Sequence, residues 1–309
     1  MNDASLNPVT ALLGRSDPAI LDGGLATELE RRGHDLSDAM WSARLLLDDP
    51  EALRAVHADY LDAGADVVVS ASYQATVEGF SQLRDLDEGV AQDLIRRSVR
   101  LACEARGDRA ALVAASVGPY GAALADGSEY TGSYDLDEDG LFRWHRDRFS
   151  ILAGSGADLL AIETIPSITE ARALVRLLDE TPHVPAWFSF SCRDGTRLAD
   201  DSSFAAAVAA VAVHPRVVAV GVNCTAPRHV EELVGVAAER TSLPIVAYPN
   251  SGETWDPKGR CWTGAPDPVA FADQATDWRA AGARLIGGCC RTGPDHVRHL
   301  RQRFAEPRP

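Results

Sequence analysis

The chain contains no run approaching the roughly 18 uninterrupted apolar residues that a membrane-spanning helix needs, which excludes that class first. Residues 1–8 lack both the positive start and the apolar core of a secretory signal, so the expected compartment is the cytoplasm. Cysteine is scarce, with six in 309 residues. That is too few for a disulfide scaffold, and in a reducing compartment these residues are expected as thiols or metal ligands. Basic residues are short as well: 30 Lys and Arg stand against 45 Asp and Glu, leaving a net charge of −15. An acidic chain without a basic run repels phosphate backbones, so nucleic acid is not an expected partner. The eight histidines show no His-x-His or His-Glu-x-x-His spacing, which argues against a His-ligated zinc hydrolase. What remains is an ordinary globular composition, 46% hydrophobic and 24% charged, which excludes collagen-like, fibrous and disordered classes.

Eight short runs rich in Val, Ile, Leu and Ala are present instead, at 19–24, 65–74, 111–120, 158–166, 185–192, 217–225, 243–250 and 283–290. Their apolarity is continuous rather than alternating, as strands buried on both faces of a parallel sheet require. Helical patterns with charged faces lie between them, at 49–63, 87–106, 139–153, 169–178, 228–238 and 268–281. Asp49-Pro50, Ser167 and Asp267-Pro268 are placed to open helices. Three segments read alike: Asp62-Ala-Gly-Ala-Asp66, Gly154-Ser-Gly-Ala-Asp158 and Ala280-Ala-Gly-Ala-Arg284. In each, a glycine is expected to close a helix in the left-handed conformation just before a strand. Eight strands alternating with helices predict a (β/α)8 TIM barrel, with an open doubly wound sheet as the competing arrangement. No linker or break in composition interrupts the pattern, so residues 1–309 are expected to form a single domain. Residues 118–134 follow the third strand without a helical or strand period, and their four glycines and three tyrosines predict an ordered lid.

In such a barrel, catalytic groups sit where strands end, on the carboxyl face. The sequence places Asp22-Gly23-Gly24, Ser70 to Gln74, Glu163-Thr164, Asn223-Cys224-Thr225 and Cys289-Cys290 there. Three cysteines on one rim suit zinc, which in catalytic sites commonly takes three protein ligands and leaves a fourth position open. Neighbouring residues of a strand point to opposite faces. Cys289 and Cys290 can therefore share an ion only if the backbone turns, which Gly287-Gly288 would permit. The competing reading takes Cys224 and one of the pair as small buried apolar residues. An all-thiolate zinc site is electron-rich and a blunted Lewis acid towards carbonyls. It suits instead the supply of a thiolate at neutral pH, where a free thiol of pKa about 8.5 is mostly protonated. The fitting chemistry is alkyl transfer to a substrate sulfur.

The segments Leu21-Asp-Gly-Gly-Leu-Ala-Thr-Glu-Leu-Glu30, Ser70-Ala-Ser-Tyr-Gln-Ala-Thr76 and Ser116-Val-Gly-Pro-Tyr-Gly121 closely resemble the homocysteine S-methyltransferases. So do Asp126-Gly-Ser-Glu-Tyr130, Glu163-Thr-Ile-Pro166, Gly221-Val-Asn-Cys-Thr225, Tyr248-Pro-Asn-Ser-Gly-Glu253 and Gly287-Gly-Cys-Cys-Arg291. The resemblance runs from about residue 18 to 298 and implies a zinc-bearing (β/α)8 barrel, with Zn2+ at the carboxyl face, that methylates homocysteine to methionine. By position, Cys224, Cys289 and Cys290 match the family's zinc ligands. Asp22 and Gly23 match its substrate-binding turn, and Glu163 matches the acid that helps hold the homocysteine ammonium. A buried carboxylate facing an ammonium makes a charge-assisted hydrogen bond, and the N–H groups of Gly23 and Gly24 could approach a carboxylate unhindered. The competing readings are an Asx turn for Asp22 and an internal salt bridge for Glu163.

The end of the second strand, with 118–120 and 127–130, resembles the branch using S-methylmethionine, and less well S-adenosylmethionine, rather than betaine-using members. A sulfonium could rest on Tyr73, Tyr120 or Tyr130, since aromatic faces attract cations; core packing or anchoring of a loop is the alternative for each. The expected partners are thus small molecules, homocysteine and a sulfonium donor, with the oligomeric state open. A betaine-type donor, a zinc-dependent hydrolase and a zinc or thiol sensor are the rival functions. Cys103 falls in a helical run and reads as core, while Cys192 could lie near the pocket or be structural. Cys261 beside Trp262 carries no readable signal, and Asn250 and Trp255 could line the pocket or close the rim.

Overall fold

The computed structural model describes residues 7–36, 41–181, 184–256, 261–264 and 266–305. Eight parallel strands make one sheet: β1 (Ala19–Ile20), β2 (Val67–Val69), β3 (Leu112–Val117), β4 (Leu159–Ile165), β5 (Ala186–Phe190), β6 (Val217–Asn223), β7 (Ile245–Tyr248) and β10 (Ala283–Ile286). Their order is β1-β10-β7-β6-β5-β4-β3-β2, so first and last strands in sequence are neighbours. The ring closes where Leu21 pairs in parallel with Val67 and the Asp22 N–H donates to the Val67 carbonyl at 3.0 Å. This is the expected (β/α)8 barrel, and closure rules out the open sheet. A hairpin of β8 (Thr254–Asp256) and β9 (Cys261–Thr263), paired antiparallel, is inserted between β7 and β10.

Strands buried on both faces divide the apolar interior in two. Inside the ring, Leu21, Val67, Ala114, Leu159, Ala161, Trp187, Val246 and Leu285 pack together with Val9 and Leu12 of the helix Pro8–Leu13, which closes the amino end. Outside it, residues such as Phe188, Phe190, Leu174 and Trp278 join sheet to helices. Burying one large apolar side chain contributes about 1.5–3 kcal/mol, so both layers are substantial.

The anticipated helix starts are in place. Asp49 accepts from Ala52 N–H, Ser167 from Glu170 N–H, and Asp267 from Val269 and Ala270 N–H. The three repeated glycines, Gly64, Gly156 and Gly282, all have positive φ, at 106°, 88° and 127°. The aspartates that follow two of them tie the amino ends of the strands. Asp66 accepts from Ile20 N–H at 2.8 Å and meets Arg301 at 2.5 Å. Asp158 accepts from Val113 N–H at 2.7 Å and meets Arg106 at 2.7 Å. In the third copy the signs are exchanged, and Arg284 forms a bidentate pair with Asp17 at 2.6 Å.

The lid differs from its aperiodic reading. Residues 118–134 hold a short helix, Tyr120–Leu124, and a 3-10 turn, Ser128–Tyr130, each too short to print a period. Tyr120 and Tyr134 stack edge-on at 5.2 Å, and Tyr120 meets Trp144 at 5.0 Å. The Tyr120 N–H donates to Glu170 at 2.6 Å, and Glu170 in turn holds His145 at 2.8 Å. Among the described residues, no helix is long and apolar enough to cross a membrane.

Candidate metal and substrate site

Cys224 follows the last residue of β6 and has a φ of 47°, in the left-handed region that non-glycine residues rarely adopt. Its N–H donates to Tyr248 carbonyl at 3.3 Å, fixing it to the end of β7. Beyond β10, the Cys289 N–H donates to Pro249 carbonyl at 2.7 Å, and Ser251 N–H reaches the Cys290 carbonyl at 3.0 Å. The two glycines before them act differently from the expected turn. Neither has positive φ; the left-handed residue is Arg291, with φ 66°. Glycine is needed because a Cβ at 287 would lie 2.6 Å from Leu21 Cβ, and one at 288 only 2.3 Å from Thr292 Oγ1. Gly287 lets the end of β10 press against the end of β1, Gly288 lets the chain fold back onto Thr292, and the turn comes after the cysteines.

The sulfurs of Cys224, Cys289 and Cys290 all lie within 4.8 Å of one another. Where thiols or ligands were expected, Cys224 and Cys289 are joined as a disulfide with a Cα–Cα distance of 5.5 Å, and Cys290 remains free. Sulfurs gathered this closely are within reach of a covalent bond as well as of a shared cation. The residues nevertheless fit a metal. Zinc–sulfur bonds of about 2.3 Å at tetrahedral angles set sulfurs about 3.8 Å apart, and Cys224 Sγ lies 3.7 Å from Cys290 Sγ. Burial pushes the Cys290 thiol up to about 11, with the Tyr130 hydroxyl opposing that shift.

Asp22 and Glu163 stand on the same rim and are 7% and 8% exposed. Asp22 accepts from Val69 N–H at 2.7 Å, a link between strand ends rather than an Asx turn. Glu163 accepts from Ser116 Oγ at 2.5 Å and Tyr248 OH at 3.1 Å. Tyr248 is itself held by Ser189 at 2.5 Å and the Trp187 indole at 3.2 Å. These donors to Glu163 are neutral hydroxyls, and neither carboxylate has an ion-pair partner among the described residues. Burial therefore dominates. It drives Asp22 well above the usual carboxylate range, helped by the charge of Glu163, and raises Glu163 to about 7. Thr164, next to Glu163, has φ 60° and is held by Asn223, whose Oδ1 accepts its N–H at 2.8 Å. The left-handed turns at Thr164 and Cys224 thus share one brace.

Gly23 packs against Tyr60 and Thr292, where a Cβ would lie 3.0 and 2.9 Å away. The Gly24 N–H is bonded to Thr292, at 3.1 Å to its carbonyl and 3.2 Å to its hydroxyl, so it is not available to a ligand as the sequence suggested. Tyr73 is partly buried, with its hydroxyl beside Thr164. Tyr130 is 44% exposed on the lid, with its hydroxyl beside Cys290. Tyr120, by contrast, anchors the lid on Trp144 and Tyr134. Cys103 is half-buried against the outer core, as expected. Cys192 lies outside the sulfur cluster, its N–H bonded to Thr225 at 2.9 Å. Asn250 bonds through its N–H to Thr225 carbonyl at 3.1 Å. The side chains of Trp255 and Cys261 lie outside the described residues.

Sequence reasoning quoted Ser116 and Tyr248 within segments but gave them no role, and it did not single out Ser189. Their signal was a lone polar group in or at the end of an otherwise apolar strand. Arg148 was missed as well. It is 3% exposed and donates to the carbonyls of Ser72 at 3.1 Å, Tyr73 at 2.8 Å and Gly118 at 3.3 Å, clamping the ends of β2 and β3. Burial lowers its guanidinium to about 10, which leaves it a cation at neutral pH.

Comparison with known proteins identifies the relatives of this barrel. The homocysteine S-methyltransferase family model matches residues 19–304. A homocysteine S-methyltransferase of Bacillus subtilis is 45% identical over 306 residues, covering 96% of this chain and 97% of its own. The homocysteine methyltransferase of Escherichia coli matches in its oxidised form with a TM-score of 0.87 and 46% identity, over 96% of this chain and 99% of that one. Its metallated form gives 0.86 and 45%, over 96% and 100%. The chain belongs to the homocysteine S-methyltransferase family.

Proposed function

We propose that this chain is a zinc-dependent enzyme that transfers a methyl group from a sulfonium donor to the sulfur of homocysteine, giving methionine. S-methylmethionine is the preferred donor and S-adenosylmethionine a poorer one. The observation that carries this reading is one rim holding three cysteine sulfurs within 4.8 Å beside two buried carboxylates that have no cationic partner among the described residues. The metallated form of the Escherichia coli relative supports a metal there, and three thiol ligands favour zinc. Cys224, Cys289 and Cys290 would hold it, after reduction of the Cys224–Cys289 bond. Bound zinc would supply a deprotonated substrate sulfur at neutral pH.

The chain's own residues place the reactants. Glu163 and Asp22 take the homocysteine ammonium, which compensates two buried charges by charge-assisted hydrogen bonds. Gly23 faces the substrate carboxylate. With that end fixed, the substrate sulfur is directed to the cysteines, and positioning supplies much of the rate. Tyr73 and Tyr130 offer ring faces to the sulfonium, and the lid keeps water from the donor. Residues 1–309 act in this reading as one barrel domain, placed in the cytoplasm.

A zinc hydrolase fits less well, because a cluster of sulfur ligands alone blunts the activation of water. A betaine-type donor is the nearer rival. The test is methionine formation by reduced, zinc-loaded protein from homocysteine with S-methylmethionine, S-adenosylmethionine or betaine. S-methylmethionine is expected to be best, with methionine arising from both donor and acceptor. No methionine from any donor, with zinc verified in the protein, would overturn the proposal.

A further inference from the structure

A third buried carboxylate lies on the lid. Glu129 is 3% exposed, yet its Oε2 is buried without a hydrogen-bond partner. Its backbone is fixed. The 3-10 turn Ser128–Tyr130 follows Gly127, whose φ is 86°, and Ser191 Oγ donates to the Glu129 carbonyl at 3.4 Å. Gly121 abuts it so closely that a Cβ there would lie 2.4 Å from the Glu129 N. Burial raises the Glu129 carboxyl above the ordinary range. The Tyr73 ring lies against Gly118 at the start of the same lid, where a Cβ would be 2.7 Å from its Cδ2. A buried carboxylate with an unpaired oxygen thus sits on the lid segment that packs on Tyr73. Such groups are costly to bury unless a ligand completes them.

We propose that Glu129 binds the positive charge of the methyl donor and is a specificity-determining residue for that substrate. The inference rests on the reading above and deepens it. Asp22 and Glu163, on β1 and β4, serve the acceptor, whereas Glu129 approaches from the lid beside Tyr73 and Tyr130. In the transfer, the bond from methyl carbon to sulfonium sulfur breaks and its electron pair stays on that sulfur, which becomes a neutral thioether. The new bond forms to the acceptor thiolate. The donor loses its sulfonium charge, so a carboxylate on the sulfonium holds donor more tightly than product and helps methionine leave, whereas one on the ammonium holds both.

The test compares reduced, zinc-loaded wild type with Glu129→Gln and Glu129→Asp. Steady-state kinetics is combined with calorimetric binding of S-methylmethionine, of methionine (ammonium only) and of dimethylsulfonioacetate (sulfonium only). Glu129→Gln is expected to weaken S-methylmethionine about 10- to 100-fold in both Kd and KM. The homocysteine KM should be unchanged, and Glu129→Asp should recover part of the loss. Loss confined to dimethylsulfonioacetate assigns the contact to the sulfonium, and loss confined to methionine assigns it to the ammonium; either supports the proposal. Unchanged affinity for all three, or an equal loss of homocysteine affinity, overturns it. If wild type turns over S-methylmethionine and Glu129→Gln matches it, only this inference falls. If wild type makes no methionine from any sulfonium, the proposed function falls and takes the inference with it.

Discussion

The two rims of the barrel use the same acidic residue types in opposite ways. At the amino rim, Asp17, Asp66 and Asp158 each meet an arginine, and the latter two also accept a strand N–H. At the carboxyl rim, Asp22, Glu163 and Glu129 are more deeply buried and have no ion pair among the described residues. A paired, partly exposed carboxylate holds strands together with modest gain. An uncompensated buried one is destabilising, and it persists where a ligand supplies the missing charge. The difference separates a rim whose carboxylates are paired within the chain from one whose carboxylates, in the function proposed above, take their counter-charge from a ligand.

Three changes would break or sharpen that contrast. The largest effect is expected from Cys290→Ala, which removes one of the three clustered sulfurs. Turnover should fall at least about 1000-fold, with zinc content falling in parallel. An active, metal-free variant would remove the cysteines from the reaction. Glu163→Gln comes next. It should raise the homocysteine KM about 10- to 100-fold while leaving Tm level or higher, because a buried charge has gone. The pH response has a definite sign. Glu163 rises from its ordinary 4.5 to about 7 in the folded chain, because burial disfavours the charge. Its contribution to stability is therefore full below 4.5 and is lost as the pH rises through about 7. Denaturation of ligand-free wild type across that window should show this loss, and the Gln variant should show a smaller one, the remainder belonging to the raised carboxyl of Asp22. The smallest effect belongs to the amino rim: Asp158→Ala should cost about 2 kcal/mol, seen as a lower Tm with kcat/KM unchanged. A kinetic defect there would mean that the two rims are coupled.

The barrel was legible because its signals are local. Continuous apolar runs mark the strands of a sheet covered on both faces, Asp49, Ser167 and Asp267 cap their own helices, and Gly64, Gly156 and Gly282 close others. Strand lengths were overestimated, since an apolar run continues past the last ladder hydrogen bond; β2 keeps only Val67–Val69 of 65–74. The cysteine cluster was also legible, for strand ends in this fold lie on one face and Cys224, Cys289 and Cys290 all follow strand ends. Less legible were the roles of single groups. Gly24 reads like Gly23 in sequence, yet its N–H belongs to Thr292, and Tyr120 reads like Tyr130 but anchors the lid.

By itself, then, the sequence determined the alternation of strands and helices and the gathering of three cysteines at the carboxyl rim. These depend on periodicity, on caps and on residue type, which neighbours in the chain supply. Only the tertiary structure decided which carboxylates are paired and which stay uncompensated, why Gly287 and Gly288 must be glycine, and that Arg148 holds the ends of β2 and β3. Whether a buried charge finds its partner depends on groups brought from distant parts of the chain, and only closure of the ring sets them in place.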